Sequence, residues 1–175
     1  HPSNPWLAGP SRLFTREFFE TARERLAPGG VFCQWVQAYA LETVHLRAVA
    51  RTFLAVFPHA SLFEAAPGEW VLLGTTEPLR LDPAELTRRL GALGGGRGLP
   101  SGGARGVIAR RRLRPEALRR FAGEGPLSTD DNGLLEFSAP LDVLKDTAAK
   151  NREALMAVAD GTPDLPRDDA EPEAP

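Results

Sequence analysis

Cysteine is almost missing from this chain, since Cys33 is the only one among its 175 residues. A single thiol excludes an internal disulfide framework and a cysteine-based metal site, and it is typical of a reducing compartment. No apolar run approaches the roughly 18 residues that a membrane span requires. The three histidines have no further ligand residues at metal-binding spacing. We therefore expect a cytoplasmic protein without a bound metal.

What is present is the composition of an ordinary globular domain, with 42% hydrophobic and 25% charged residues. The formal net charge of -2 hides a basic cluster at residues 110–114 and an acidic, proline-rich end. The basic cluster follows a glycine-rich stretch and has no interleaved aromatic residues, which favours a solvated loop over a nucleic-acid partner. The first residues form a Pro/Asn/Trp loop without a methionine, so we expect an incomplete domain that enters its fold part-way through.

The pattern of apolar residues predicts an α/β fold. A helix capped by Thr15 is expected to end at Pro28, and residues 31–36 are a nearly continuous apolar run, as in a parallel central strand buried on both faces. A second helix over residues 41–57 precedes two strands, residues 61–65 and 69–74, which a short turn joins as a hairpin. This order is typical of the second half of a doubly wound sheet that ends in an antiparallel hairpin.

The rest of the chain is predicted to be less regular. Asp82 is expected to cap a helix, residues 94–106 to be a flexible glycine-rich loop, and residues 115–121 to be a short helix. A turn at residues 130–133 is expected to lead into a short strand at 134–137. Residues 1–140 would then form the main domain, residues 141–160 a polar helix, and residues 161–175 a disordered tail.

Two places could carry chemistry. Loops that leave parallel strands line ligand sites, and Pro2 and Pro5 would stiffen such a loop so that Ser3 and Asn4 face a ligand. A plain proline-rich turn is the alternative. Gln34 lies inside the apolar strand, where its amide needs a hydrogen-bond partner, either a polar ligand or a neighbouring backbone group. His45 is expected to be a solvated surface residue.

Three segments together resemble the spermidine synthase family, over roughly residues 1–140. They are residues 2–6 with 13–15, residues 30–34, and residues 57–58 leading to 68–70. The similarity is greatest to bacterial spermidine-synthase-like proteins, often fused behind a transporter-like membrane region, which carry a Pro-Ser-Asn-Pro-Trp segment. These proteins also have Thr-Asp-Asp-Asn before a short strand, as at residues 129–132.

The resemblance implies a Rossmann-like, class I methyltransferase-like fold in which decarboxylated S-adenosylmethionine donates an aminopropyl group to a polyamine acceptor such as putrescine. It also implies roles for four residues. His1 stands where the family has an acidic catalytic residue, and Ser3 matches a serine of the same loop. Asn4 replaces an aspartate that holds the acceptor, and Gln34 matches a glutamine near it. The nucleotide-binding part of the family lies upstream of residue 1, so the chain corresponds to the C-terminal half only.

Two other functions remain open. The neutral amide of Asn4 suits a methyltransferase-like enzyme that uses S-adenosylmethionine on an uncharged acceptor. A non-catalytic soluble domain of a membrane-fused protein is the third reading. The resemblance leaves open a homodimer and an upstream membrane region as further partners, in which case the protein would be membrane-associated.

Overall fold

The structure is a computed structural model that describes residues 4–92 and 102–159. The predicted site residues His1 and Ser3, the predicted loop up to residue 101, and the predicted tail lie outside these ranges. The chain divides into two units, of which the first comprises residues 1–79 and 112–160 and the second residues 80–111 and 161–175. No helix within the described ranges is long and apolar enough to cross a membrane.

The first unit begins with a 3₁₀ turn, Pro10–Phe14, followed by helix α1, Arg16–Glu24. Thr15 is the N-cap of α1, and its hydroxyl accepts a hydrogen bond from the Phe18 backbone N–H at 3.4 Å. This bond satisfies one of the backbone donors that a helix start leaves unpaired. The predicted capped helix is therefore confirmed.

The next elements form and connect a sheet. Strand β1 is Phe32–Gln37, and helix α2, Thr43–Val56, follows it. Strands β2, Ser61–Ala66, and β3, Glu69–Gly74, come next. A fourth strand, β4 at Arg111–Leu113, completes the order β1-β3-β2-β4. Strands β2 and β3 pair antiparallel across the turn at Pro67 and Gly68, where Gly68 has φ +78°. The predicted hairpin and second helix are thus confirmed, and the fold is mixed α/β.

The placement of β1 differs from the prediction of a central parallel strand. Its partner is β3, which runs antiparallel to it over the full register from Phe32↔Gly74 to Gln37↔Glu69, and β1 stands at one edge of the sheet within the described ranges. Cys33 is exposed, so the strand is not buried on both faces. Since β1 and β2 are each antiparallel to β3, they run parallel to each other, with α2 as the connection between them and β3 inserted between them.

The hydrophobic core lies against one face of the sheet. Successive strand residues alternate between faces, and the core takes Val36, Leu62, Trp70 and Leu72 from the same face. Aromatic rings of α1 and α2 pack there, with Phe53 and Phe57 at 4.9 Å between ring centroids. The opposite face carries Cys33, Trp35, Gln37 and Glu69.

The second unit contains helices α3, Pro83–Ala92, and α4, Gly103–Ile108, which contact each other. Asp82 caps α3 as predicted, because its carboxylate accepts from the Ala84 N–H at 2.8 Å. The prediction of a loop through residue 106 is wrong for α4. Gly102, with φ +91°, serves as the N-cap of α4, and so the glycines there begin a helix instead of preventing one.

The C-terminal part of the first unit contains helix α5, Pro115–Ala122, as predicted. The stretch at residues 110–114 is not a solvated loop, because it contains β4, in which Arg112 pairs with Glu64 at 2.8 Å. Leu134–Ser138 is helix α6 instead of a strand. Asn132 accepts from the Leu134 N–H at 3.0 Å, so the predicted turn is present but starts a helix.

A 3₁₀ turn at Ala139–Asp142 and helix α7, Ala148–Met156, complete the described chain. A helix was predicted over residues 141–160, but in the described part of the chain it extends only over Ala148–Met156. Its buried members, Asn151 and Leu155, face the first unit's core and the loop that follows β1.

Candidate functional site

The carboxyl end of β1 brings the opening segment and the sheet together. Gln37, the last residue of β1, is 2% exposed, and its amide nitrogen donates to the side-chain oxygen of Asn4 at 2.5 Å. The amide oxygen of Gln37 is buried and has no hydrogen-bond partner in residues 4–92 and 102–159. The predicted site residue Asn4 thus lies at the carboxyl end of β1.

Gln34, the other predicted site residue on β1, is not brought to Asn4. It lies on the opposite face of the strand from Gln37, because the two are three positions apart in an unbroken register. Its side chain is buried at 5% exposure, and its amide nitrogen donates to the Trp35 carbonyl at 3.1 Å. Of the two partners considered for this amide, the backbone group is the one observed.

Glu69 is the group at this end of the sheet that sequence reasoning missed. It begins β3 and stands directly opposite Gln37 in the register, so the two side chains share a face. One carboxylate oxygen of Glu69 accepts from the Trp35 indole N–H at 2.5 Å, and the other accepts from the Tyr39 hydroxyl at 3.1 Å. Burial and this hydrogen bond raise the pKa of Tyr39, which keeps its hydroxyl protonated as a donor.

The loop that follows β1 is held in a strained form. Ala40 has φ +52°, and no other non-glycine residue in the described part of the chain has a positive φ. The side chain of Asn151 donates to the carbonyls of Ala38 at 2.9 Å and Leu41 at 2.7 Å, on either side of Ala40. Because a strained backbone persists only where its surroundings over-determine it, α7 fixes the loop that carries Tyr39.

Hydrogen bonds and ion pairs of Asp142 connect the start of α2 to the segment before α7. Asp142 accepts from the Glu42 N–H at 2.8 Å, contacts the His45 imidazole, and pairs with Lys145 at 3.1 Å. Burial raises the pKa of Asp142, but these three donors together outweigh burial and hold the pKa below its usual value. His45 has 13% of its side chain exposed, so the prediction of a solvated surface histidine is wrong.

Clefts open on the described part of the first unit. One, of about 260 Å³, is lined by Tyr39, Glu64, the Pro67–Gly68 turn, Trp70 and the start of α7 with Arg152. Another, of about 280 Å³, lies between the start of α1 and the turn at residues 128–133. Tyr39 lines the first cleft, and its hydroxyl donates to the Glu69 carboxylate.

Asn4, Gln37 and Glu69 can orient a polar ligand through two amides and one carboxylate.

Comparison with known protein families, curated proteins and solved structures finds no match to this chain. Among the described residues there is no group of three or more His, Cys, Asp or Glu side chains that could hold a metal ion. The chemistry of the site therefore has to be inferred from Asn4, Gln37, Glu69 and the aromatic residues beside them.

Proposed function

We propose that this chain forms the acceptor-binding part of a spermidine-synthase-like transferase, in which an aminopropyl group passes from decarboxylated S-adenosylmethionine to a polyamine or related amine. The observation that carries the proposal is the contact between Asn4 and Gln37. The resemblance assigns the opening loop to the acceptor site, and this contact joins that loop to the carboxyl end of a sheet strand.

The sheet also supports the proposal. Parallel strands β1 and β2, connected by α2 and separated by the antiparallel β3, agree with the last part of a Rossmann-like, class I methyltransferase-like sheet. In a complete domain of this kind the donor nucleoside would bind on residues that precede this chain's β1. We further propose a cytoplasmic location, with membrane association if a transporter-like region precedes the domain, and a homodimer as the assembly to test.

The reaction needs a neutral amine that attacks the carbon next to the sulfonium. The new C–N bond forms as the C–S bond breaks, methylthioadenosine leaves, and the amine loses one proton to a base. The amide oxygens of Asn4 and Gln37 can accept a hydrogen bond from the amine and orient it, but an amide cannot take up the proton. His1 remains the proposed base, and Ser3 a proposed contact of the acceptor.

An assay of the full product of the gene tests this function. The protein is incubated with decarboxylated S-adenosylmethionine and a panel of diamines, and the aminopropylated product is measured by mass spectrometry. Product formation that falls at least about tenfold in Asn4→Ala, as expected for loss of an orienting hydrogen bond, supports the proposal. The absence of product with every diamine would refute aminopropyl transfer.

Methyl transfer is the second candidate, and the uncharged side chain of Asn4 favours it. A neutral amide gives no charge attraction to a cationic acceptor, whereas it suits an uncharged one. Calorimetry with the two nucleosides separates the candidates. Tighter binding of S-adenosylmethionine than of its decarboxylated form would favour methyl transfer, and the reverse order would favour aminopropyl transfer.

A further inference from the structure

The segment of residues 134–145 is helical and carries apolar side chains on two opposite faces. It comprises α6 and the 3₁₀ turn that follows, and a hydrogen-bonded turn from Asp142 to Lys145 extends it. On its inner face, Leu135 and Ala139 are buried and belong to the hydrophobic core. A helical segment that is apolar on its other face as well is normally covered on that face too.

The other face points outward, and its large apolar residues are Phe137, Leu141 and Leu144. They stand at i, i+4 and i+7, the spacing that brings side chains together on one side of a helix. Phe137 is 78% exposed, Leu141 76% and Leu144 96%. Single exposed apolar residues are common, whereas a group of large ones on one face marks an interaction surface. We call these three residues the outer stripe.

Acidic side chains stand at both ends of the outer stripe. Asp130, Asp131 and Glu136 line the cleft of about 280 Å³ beside the phenylalanine of the stripe, and Asp146 follows its last leucine. Within residues 4–92 and 102–159, none of these four carboxylates forms an ion pair. Arg12 lines the same cleft and offsets one of the charges. The rim of the stripe therefore keeps a net negative charge.

This charge decides which partner fits the outer stripe. Lys145, next to the stripe, pairs with Asp142 at 3.1 Å and with Glu42 at 3.3 Å, so its charge is compensated within the chain. A second copy of the chain would bring two acidic rims together, and the acidic residues 161–175 would also meet a rim of like sign. Like charges that face each other oppose association. A negatively charged membrane surface is disfavoured for the same reason.

We propose that the outer stripe and its acidic rim bind a basic amphipathic helix of a partner protein. The apolar face of such a helix would cover the phenylalanine and the two leucines of the stripe, as in the recognition of a helix by an apolar groove. Its lysine and arginine side chains would reach the carboxylates of the rim. This interaction surface is independent of the proposed transfer reaction, because it uses none of the residues assigned to the acceptor.

The test is binding of a synthetic helical peptide of about 18 residues to the full gene product, measured by fluorescence anisotropy. The peptide has leucine at i, i+3, i+4 and i+7 positions and lysine elsewhere. A scrambled peptide of the same composition and a peptide with glutamate in place of lysine are the controls. Wild-type protein should bind the probe, less tightly as salt is added, and should bind both controls at least about tenfold more weakly. Absence of probe binding, or equal binding of the scrambled peptide, would overturn the proposal.

Variants of the stripe locate the binding. Leu141→Ser and Leu144→Ser change exposed side chains, so both proteins should fold as the wild type does. Each should weaken probe binding by about tenfold, the loss expected when one leucine is no longer buried at the interface. Met156→Ser, at an exposed apolar position of α7, is the control and should leave binding within about twofold. Equal affinity of Leu144→Ser and wild type would contradict the assignment.

A second pair of variants tests the acidic rim. The double substitution Asp130→Asn and Asp131→Asn should weaken probe binding by about fivefold and reduce its salt dependence, as expected for two exposed charge pairs. The substitutions Glu77→Gln and Glu124→Gln remove the same charge at exposed positions away from the stripe and should leave binding within about twofold. Equal losses in the two double variants would show that net charge, and not the rim, attracts the peptide, and would refute the proposed surface.

Discussion

Replacement of Asn151 by alanine should destabilise the protein through the loop that carries Tyr39. The Asn151 side chain donates to two backbone carbonyls and accepts from the Thr43 hydroxyl at 2.7 Å, and it is fully buried. A typical hydrogen bond contributes about 1 kcal/mol net, and a buried partner left unpaired costs at least that much. Loss of three such bonds should therefore lower the free energy of unfolding by about 3 kcal/mol.

Urea denaturation followed by tryptophan fluorescence measures this change. Glu153→Ala, an exposed substitution on the same helix, is the control and should alter the free energy of unfolding by no more than about 0.5 kcal/mol. Asn151→Ala should also loosen the loop that carries Tyr39, because the Ala38 and Leu41 carbonyls on either side of the strained Ala40 lose their bonds to Asn151. A loss below about 1 kcal/mol would show that Asn151 does not fix the loop.

Three further changes test the core and the charge network. Phe53→Ala should cost about 3–5 kcal/mol in urea denaturation, since the ring is fully buried; a loss near 1 kcal/mol would contradict the packing. Gly74→Ala should cost about 1–3 kcal/mol by the same measurement, because a Cβ there would lie 2.6 Å from Phe57, and a neutral effect would contradict that approach. The pKa of Asp142 is lower in the folded state than in the unfolded state, where it is about 3.9. The ionised carboxylate therefore stabilises the folded state above that pH, and this contribution disappears as pH falls through the folded pKa. Wild-type stability should therefore fall more steeply than that of Asp142→Asn in acid denaturation below about pH 4, and parallel curves would refute the assignment.

Local signals in the sequence were enough for several elements. The cap at Thr15, the apolar stripe of α2 and the Pro67–Gly68 turn all act within a few residues of the structure they form. Each therefore predicts its helix or hairpin without knowledge of the rest of the chain.

The pairing of β1 could not be derived in the same way. A short apolar run does not indicate which strand lies beside it, and Phe32–Gln37 pairs with a strand more than thirty positions further along. The error at Leu134–Ser138 has a related cause. Five residues are too few to separate a helix from a strand, and the bond from Leu134 to Asn132 decides in favour of a helix.

The contact at the end of β1 could be derived from the sequence only in part. The sequence singled out Asn4, and both the apolar strand and the resemblance pointed to Gln34, whereas Gln37 is the residue that contacts Asn4. Alternation along the strand does not show which face carries a ligand. Glu69 was missed because only the register between β1 and β3 places it opposite Gln37.

The sulfur-containing product of the reaction distinguishes the proposed transferase from its alternatives. The full gene product is incubated with 1,4-diaminobutane and an equal mixture of S-adenosylmethionine and its decarboxylated form, and the released nucleoside is identified by mass spectrometry. Aminopropyl transfer to a diamine predicts methylthioadenosine in a 1:1 ratio with aminopropylated diamine, and a strong decrease of both in Asn4→Ala. Release of S-adenosylhomocysteine instead, or of neither nucleoside, would contradict it.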